Sequence, residues 1–411
     1  MAVATWFDTC VHCTELLASV PLHIIFVALC ATGAGLFVSL YVFLSLVAPV
    51  PRKPLPEEKT YRTISADGSI TEPLPLPSWH EFSNPKGDKP KNDSTDDEAE
   101  LFMSLVVPAY NEKDRLGGML EEAVNYLERM YGTLPNGRVE GKAIRQRKNA
   151  ANGRANGTTN GKPALQGKGW EIVIVSDGST DTTEEMAFSF ARDHQLSPHP
   201  RGHAGPWTPR TQEGVHIPPG TIRVVSLTKN RGKGGAVTHG MRHVRGQYVI
   251  FADADGATNF EDLGKLVKAC QEIEDTDGRG VVVGSRAHMV GSEAVVKRSK
   301  LRNFLMHSFH LILWLLTPSK TATIKDTQCG FKLFSRASLP FIVPNMHSEG
   351  WIFDVEMLML AEFARIPVVE VPVDWREVGG SKLNVLRDSI GMAWGLAVLR
   401  AAWSLGVYRR K

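Results

Sequence analysis

The chain has 411 residues, of which 43% are apolar and 22% charged, a make-up that buries a core and excludes whole-chain disorder and fibrous repeats. Its 47 Lys and Arg against 44 Asp and Glu leave a formal charge of +3, which excludes a nucleic-acid binder unless a basic face is concentrated somewhere. Five cysteines exclude a disulfide scaffold, and Cys10-x-x-Cys13 without a second pair is a weak metal signal.

The first element is Leu22 to Val47, a run with no charged residue. At about 1.5 Å per residue it is long enough to cross a hydrocarbon layer of about 30 Å, which predicts a transmembrane helix; a buried core helix is the alternative. It exceeds the roughly 7–15 apolar residues of a cleaved leader, and no Lys or Arg precedes Arg52. Asp8 and Glu15 lie before the span, and Arg52, Lys53, Lys59 and Arg62 after it. The positive-inside bias then predicts residues 1–21 as a short lumenal N-terminus and the remainder as cytosolic. Residues 48–100, rich in proline and then acidic, predict a spacer or a lightly structured lead-in.

Beyond it, Phe102 to Val107, Glu171 to Val175, Ile222 to Leu227, Tyr248 to Ala252 and Val281 to Val283 read as buried strands. Arg115 to Met130 and Thr182 to Asp193 read as helices between them. The alternation predicts an α/β fold with a mostly parallel sheet and flanking helices, whose ligand site collects at the carboxyl ends of the strands. Two insertions interrupt it, at about 133–169 and 194–220. Arg138 to Lys168 is rich in Gly, Asn, Lys and Arg, and Pro198 to Gly220 in Pro, Gly and His, so both predict surface loops with too little apolar surface to order themselves. Arg302 to Thr317, and Ser389 to Tyr408 within a C-terminal segment 387–411, carry aromatic and basic flanks. They read as amphipathic helices in a membrane interface or as helices covering the sheet.

Asp253-Ala254-Asp255 directly follows the strand Tyr248 to Ala252. Carboxylates two apart at a strand end can turn toward one divalent ion, and Gly256 permits the turn. Val107-Pro108-Ala109-Tyr110-Asn111-Glu112 ends the first strand of the domain and Ser176-Asp177-Gly178-Ser179-Thr180-Asp181 the second. Both supply hydrogen bonds for a polar ring and sugar; the alternative is that Ser179 or Asp181 caps the next helix. In Lys229-Asn230-Arg231-Gly232-Lys233-Gly234-Gly235, glycines let backbone N–H groups approach an anion while Lys and Arg add charge. Neither the P-loop nor the dinucleotide-binding spacing is met.

Together, in this order, the four motifs resemble family 2 glycosyltransferases of the GT-A fold. Gly284-Ser285-Arg286, Asp326-Thr327-Gln328-Cys329-Gly330-Phe331-Lys332, Trp351-Ile352-Phe353-Asp354-Val355-Glu356, and Val371-Pro372-Val373-Asp374-Trp375 through Gly380-Ser381-Lys382 resemble its polyprenyl-phosphate branch. The resemblance covers a catalytic domain at 101–386, apart from the insertions, and the anchor. It implies that Pro108, Tyr110, Glu112, Asp177 and Lys233 surround the nucleotide and that Asp253 and Asp255 hold Mg²⁺ or Mn²⁺ on the UDP diphosphate. Arg286, Arg298 and Arg302 resemble the acceptor-phosphate residues, to which Lys382 is added. Asp354 stands at the usual base position, with a role in orientation rather than obligatory proton removal. Two departures are Ser176 where paired Asp is usual, and Ala257 where related mannosyl enzymes place a third metal ligand.

The implied reaction is inverting transfer of glucose from UDP-glucose to dolichyl phosphate at the endoplasmic reticulum bilayer, for protein N-glycosylation. Phe304, Leu305, Leu311, Leu313 and Trp314 would form the lipid-docking surface. GDP-mannose as donor is the nearest alternative, and the N-terminal anchor favours glucose. A processive polysaccharide synthase would need several spans. A reading of another class is an inactive, membrane-tethered nucleotide-sugar sensor, for which Ser176 is the hint.

Overall fold

The computed structural model describes residues 21–79, 99–132, 169–209, 213–289, 316–379 and 385–410. Cys10, Cys13, Arg298, Arg302, Lys382, the docking residues Phe304 to Trp314 and nearly all of the first insertion lie outside that range.

Helix α1 spans Leu22–Val47, the residues expected. Its 26 residues give a length of about 39 Å, enough to cross a membrane. With Ala397–Arg410 it belongs to one compact unit, in which Leu399 and Ala402 are buried and Trp403 packs edge-on to Tyr408. Pro49–Leu396 forms the other unit.

The second unit is built on a seven-stranded sheet in the order β5-β4-β3-β6-β8-β7-β9. The strands are β3 (Leu101–Ala109), β4 (Trp170–Ser176), β5 (Ile222–Ser226), β6 (Gly246–Ala252), β7 (Val281–Ser285), β8 (Phe331–Ser335) and β9 (Val368–Pro372). Only β8 runs against its neighbours; every other pairing is parallel. Burial from Phe102 to Val107 and throughout β4 is what a strand covered on both faces requires, hence the continuous apolar runs.

Leu105, Val107, Ile172, Ile174 and Ile250 face a core shared with α2 (Leu116–Tyr131), α3 (Thr183–Leu196) and α5 (Leu263–Ile273). Leu116, Leu120, Ala123, Val124 and Leu127 line the buried stripe of α2, each fully buried Leu contributing about 1.5–3 kcal/mol over exposure. The other sheet face carries α4 (Lys233–Met241), where Gly240 lies against Val106 and Val175, and α6 (Phe353–Phe363), where Phe353 meets Phe251 at 5.7 Å. Helix α7 (Val385–Ser404) exposes Ile390 and Trp394 in its first half and buries Leu396.

The stretch read as a spacer or a lightly structured lead-in is structured from Pro49 to Trp79. Two-residue strands β1 (Thr60–Tyr61) and β2 (Leu74–Pro75) pair antiparallel. Arg62 exchanges both backbone hydrogen bonds with Val224 on the edge strand β5, at 2.9 and 2.8 Å, and Ile64 is fully buried. The Glu58 and Pro77 carbonyls accept from His239 Nε2 at 2.7 Å and His243 Nδ1 at 2.8 Å. Burial holds both imidazoles neutral, pushing His239 down to about 4 and His243 to about 3. Proline lacks N–H donors but keeps its carbonyl, so a proline-rich composition hid a segment several of whose partners lie far along the chain.

Candidate active site

The chain lays down β3, β4 and β5 in one direction and then returns to place β6 on the other side of β3. Loops leaving β3 and β6 therefore diverge, and the crevice at their carboxyl ends is where open α/β sheets bind ligands. Tyr110, Asn111 and Glu112 leave β3 there. Asn111 has φ of 54°, a left-handed conformation that Asn tolerates, and its Oδ1 accepts from the N–H of Thr180 at 2.8 Å. Ser179 Oγ accepts from Asn111 N–H at 3.1 Å and Thr183 Oγ1 from Glu112 N–H at 2.8 Å, so the two motifs are knitted together. The Glu112 carboxylate is gripped by Arg115 through Nε and Nη2, each at 2.7 Å. Pro108 is half-buried and Tyr110 exposed. Asp181 accepts from Thr183 N–H at 3.0 Å in a local turn just before α3, whose N-cap residue is Thr182.

Asp177 is buried, and its two carboxylate oxygens accept from Arg231 N–H at 2.7 Å and Gly232 N–H at 2.9 Å. Burial pushes it up to about 6 even though both N–H groups favour the charged form. Asp177 thus fixes the glycine loop that opens α4. Gly232, at φ of +85°, passes so close to the Glu349 carbonyl that a Cβ would lie 2.6 Å from its oxygen. Ser176 Oγ is buried with no hydrogen-bond partner among the described residues.

The loop delivers Lys233, whose Nζ meets Asp253 Oδ1 at 2.6 Å beside the rings of Trp351 and Phe353. Burial alone would lower its pKa, but the charges of Asp253 and Asp354 outweigh that and raise it. Asp255 Oδ1 accepts from Ala257 N–H at 3.0 Å in a turn where Gly256 has φ of +68°. Burial and then the neighbouring charge of Asp253 raise its pKa. Register pairs Ala252 with Phe331, which brings Gly330 against Asp253. A Cβ on Gly330 would land on the Asp253 carboxylate, 2.7 Å from Oδ1. Gly330→Ala is therefore expected to turn Asp253 aside and cut turnover at least about tenfold while the melting temperature changes little, checked by transfer assay beside thermal unfolding.

Among the described residues no group of three or more His, Cys, Asp or Glu side chains could hold a metal by itself. Asp253 and Asp255 line one recess, with Gly330 leaving room for the Asp253 carboxylate, and their hard oxygen donors fit Mg²⁺ or Mn²⁺, cations that would be held by such a carboxylate pair together with phosphate oxygens.

Arg286 is bound to Asp326 through Nε at 2.7 Å and Nη2 at 2.8 Å, with Trp375 over its guanidinium at 5.5 Å. Burial opposes its charge, but Asp326 outweighs burial and raises its pKa. Asp354, in the first turn of α6, is buried and paired with Lys332 Nζ, which also donates to the Cys329 carbonyl at 2.6 Å. Burial raises the Asp354 pKa despite the Lys332 and Lys233 charges. Sequence reading assigned no role to Lys332, Asp326 or Arg115. A lysine inside the apolar strand Phe331–Ser335 was the available signal for the first.

Residues 208–340 match the family described as glycosyl transferase family 2. A dolichyl-phosphate beta-glucosyltransferase of Saccharomyces cerevisiae is 38% identical over 91% of this chain and 92% of its own length. Proteins of the same name from Dictyostelium discoideum and Homo sapiens are 37% and 33% identical, over 76% and 83% of this chain and 77% and 90% of theirs. A glucosyl-3-phosphoglycerate synthase structure from Mycobacterium tuberculosis, with Mn²⁺ and UDP-glucose, aligns over 74% of this chain and 79% of that one. Its TM-score is 0.44 at 16% identity, too distant a likeness to carry an argument about ligands.

Proposed function

This chain belongs to the dolichyl-phosphate beta-glucosyltransferases of glycosyl transferase family 2, and on that footing we propose that it moves glucose from UDP-glucose to dolichyl phosphate with inversion. The observation that carries the reading is the convergence of Lys233, Asp253 and Asp255 at the crevice between β3 and β6, with Gly330 leaving room for the Asp253 carboxylate.

As the sugar–phosphate bond breaks, negative charge grows on UDP. Lys233 offers a fixed, shielded positive charge at that point, carried by a loop whose Arg231 and Gly232 N–H groups are engaged by Asp177. Mg²⁺ or Mn²⁺ held by Asp253 and Asp255 would supply Lewis-acid stabilisation of the departing diphosphate. The acceptor is a phosphate monoester whose second pKa is near 6, so its oxygen is largely ionised at neutral pH and needs no strong base. Asp354, tied to Lys332, accordingly orients the acceptor or sugar. With Nε and Nη2 of Arg286 engaged by Asp326, its Nη1 edge is assigned to the acceptor phosphate, together with Arg298, Arg302 and Lys382.

Dolichol stays in the bilayer, since extraction costs roughly 0.8 kcal/mol per CH₂, and α1 brings the enzyme to it. The charge bias around α1 supports a single pass in the endoplasmic reticulum membrane with the catalytic unit cytosolic.

Membranes carrying the protein, given dolichyl phosphate and radiolabelled UDP-glucose or GDP-mannose, are expected to place label in the lipid phase from UDP-glucose. Label from GDP-mannose alone would overturn the donor, and label from neither would favour the sensor. In sealed microsomes, added protease is expected to digest the domain after Arg52; protection would reverse the orientation.

A further inference from the structure

We propose that His203–Thr208, carried by the second insertion, is a clamp that sets the turn presenting Asp255, with Trp207 and Arg376 as positioning residues for the diphosphate and cation. The inference rests on the reading of Asp253 and Asp255 given above.

The insertion was expected to be a solvated loop. Instead it crosses α2 at close range. A Cβ on Gly118 would lie 2.8 Å from Gly205 Cα, and one on Gly117 would lie 2.9 Å from His203 Nδ1. Adjacent glycines are unfavourable inside a helix, and here they are what lets the crossing backbone approach. Consecutive carboxylates on α2 then fasten it: Glu121 Oε2 accepts from His203 N–H at 3.1 Å and Glu122 Oε1 from Trp207 N–H at 2.7 Å.

So fastened, the segment reaches the turn after β6. Trp207 Nε1 donates to the Gly256 carbonyl at 3.2 Å, and Arg376 N–H donates to the Ala257 carbonyl at 2.8 Å. The Arg376 guanidinium lies 3.9 Å from the Trp207 ring centroid and donates to the Pro206 carbonyl at 2.5 Å, which locks the two holders to each other. Between them sits Ala257 N–H, the group that orients Asp255 Oδ1. A turn hinged on a glycine at positive φ gains a fixed direction from having successive carbonyls held, and the carboxylate it carries is pre-aimed.

Trp207→Phe keeps the ring and deletes the indole N–H; Arg376→Lys keeps the charge and deletes the planar stack. Trp79→Phe removes an equivalent bond, from Nε1 to the Met241 carbonyl at the far end of α4, and serves as the comparison. Mn²⁺ binding to the full-length protein in detergent with UDP is followed by electron paramagnetic resonance, beside kcat, both KM values and thermal unfolding. Trp207→Phe and Arg376→Lys are expected to weaken Mn²⁺–UDP binding about three- to tenfold and to raise KM for UDP-glucose, leaving KM for dolichyl phosphate unchanged. Trp79→Phe should bind as wild type does. Wild-type affinity in both clamp variants, or an equal loss in Trp79→Phe, overturns the clamp alone. Absence of Mn²⁺ binding by the wild-type protein with UDP overturns the cation reading, and the clamp with it.

Discussion

Asp253→Asn is expected to lower glucosyl transfer by about a thousandfold, and Asp255→Asn by a comparable factor, while the protein remains folded and membrane-inserted. Removing one preorganised charge or donor from a developing anion costs about 10²–10³ in rate, and here each carboxylate also serves the cation. The fold should tolerate the change. Asn has the same shape as Asp, the Asp253 side chain is 38% exposed, and Lys233 keeps the charge of Asp354 nearby. An Asn at 255 can still accept from Ala257 N–H through its amide oxygen. Transfer assays over a Mn²⁺ series, beside thermal unfolding, check this; wild-type turnover in either variant would remove the carboxylates from the site.

Lys332→Met is expected to destabilise the protein by about 3–5 kcal/mol, because it strands the Asp354 carboxylate in a buried site. Lys332→Met combined with Asp354→Leu should recover most of that loss, since both polar partners are then gone, and transfer should stay low. The pH dependence follows from the raised pKa of Asp354. Folded Asp354 keeps its proton to a higher pH than an unfolded Asp, near 3.9, so its contribution to stability declines as pH rises above that value. Without Lys332 the elevation grows, and the deficit of the single variant should shrink at pH 5 relative to pH 7.5. Urea unfolding at the two pH values tests it; an unchanged deficit would show that lost packing, not a buried charge, is responsible.

The contrast between those residues marks what the sequence could disclose. The span α1, the strands β3 to β7 and the helices α2 and α3 announce themselves as local apolar runs. So do the positions of Tyr110, Asp177, Lys233, Asp253 and Asp255, because each follows a strand that buried both faces. Strand β8 was read only as part of a chemical motif; its five residues include a lysine, and its antiparallel direction is set by neighbours far along the chain. Strand β9 is half-buried at the sheet edge and lacks the continuous run that marked the others. The pairs Lys332–Asp354 and Arg286–Asp326, and the recess at Gly330, follow from that register, which no local pattern encodes. Composition understated the anchoring of the lead-in and misjudged the second insertion for a related reason: their few anchoring side chains, Ile64 and Trp207 among them, are outnumbered by Pro and Gly.

The stretch Pro49 to Trp79 decides where a shortened, lipid-free version of this enzyme must start. Cutting just before Pro49 discards the greasy helix and keeps Arg52, whose carbonyl receives the Arg231 guanidinium of the glycine loop, and Glu58, which receives Thr228 N–H at 3.0 Å. Cutting at Leu101, where the family motifs begin, would strip Arg62 and Thr63 from β5 and bare a row of unpaired amides on the outermost strand, an invitation to stack with its own copies.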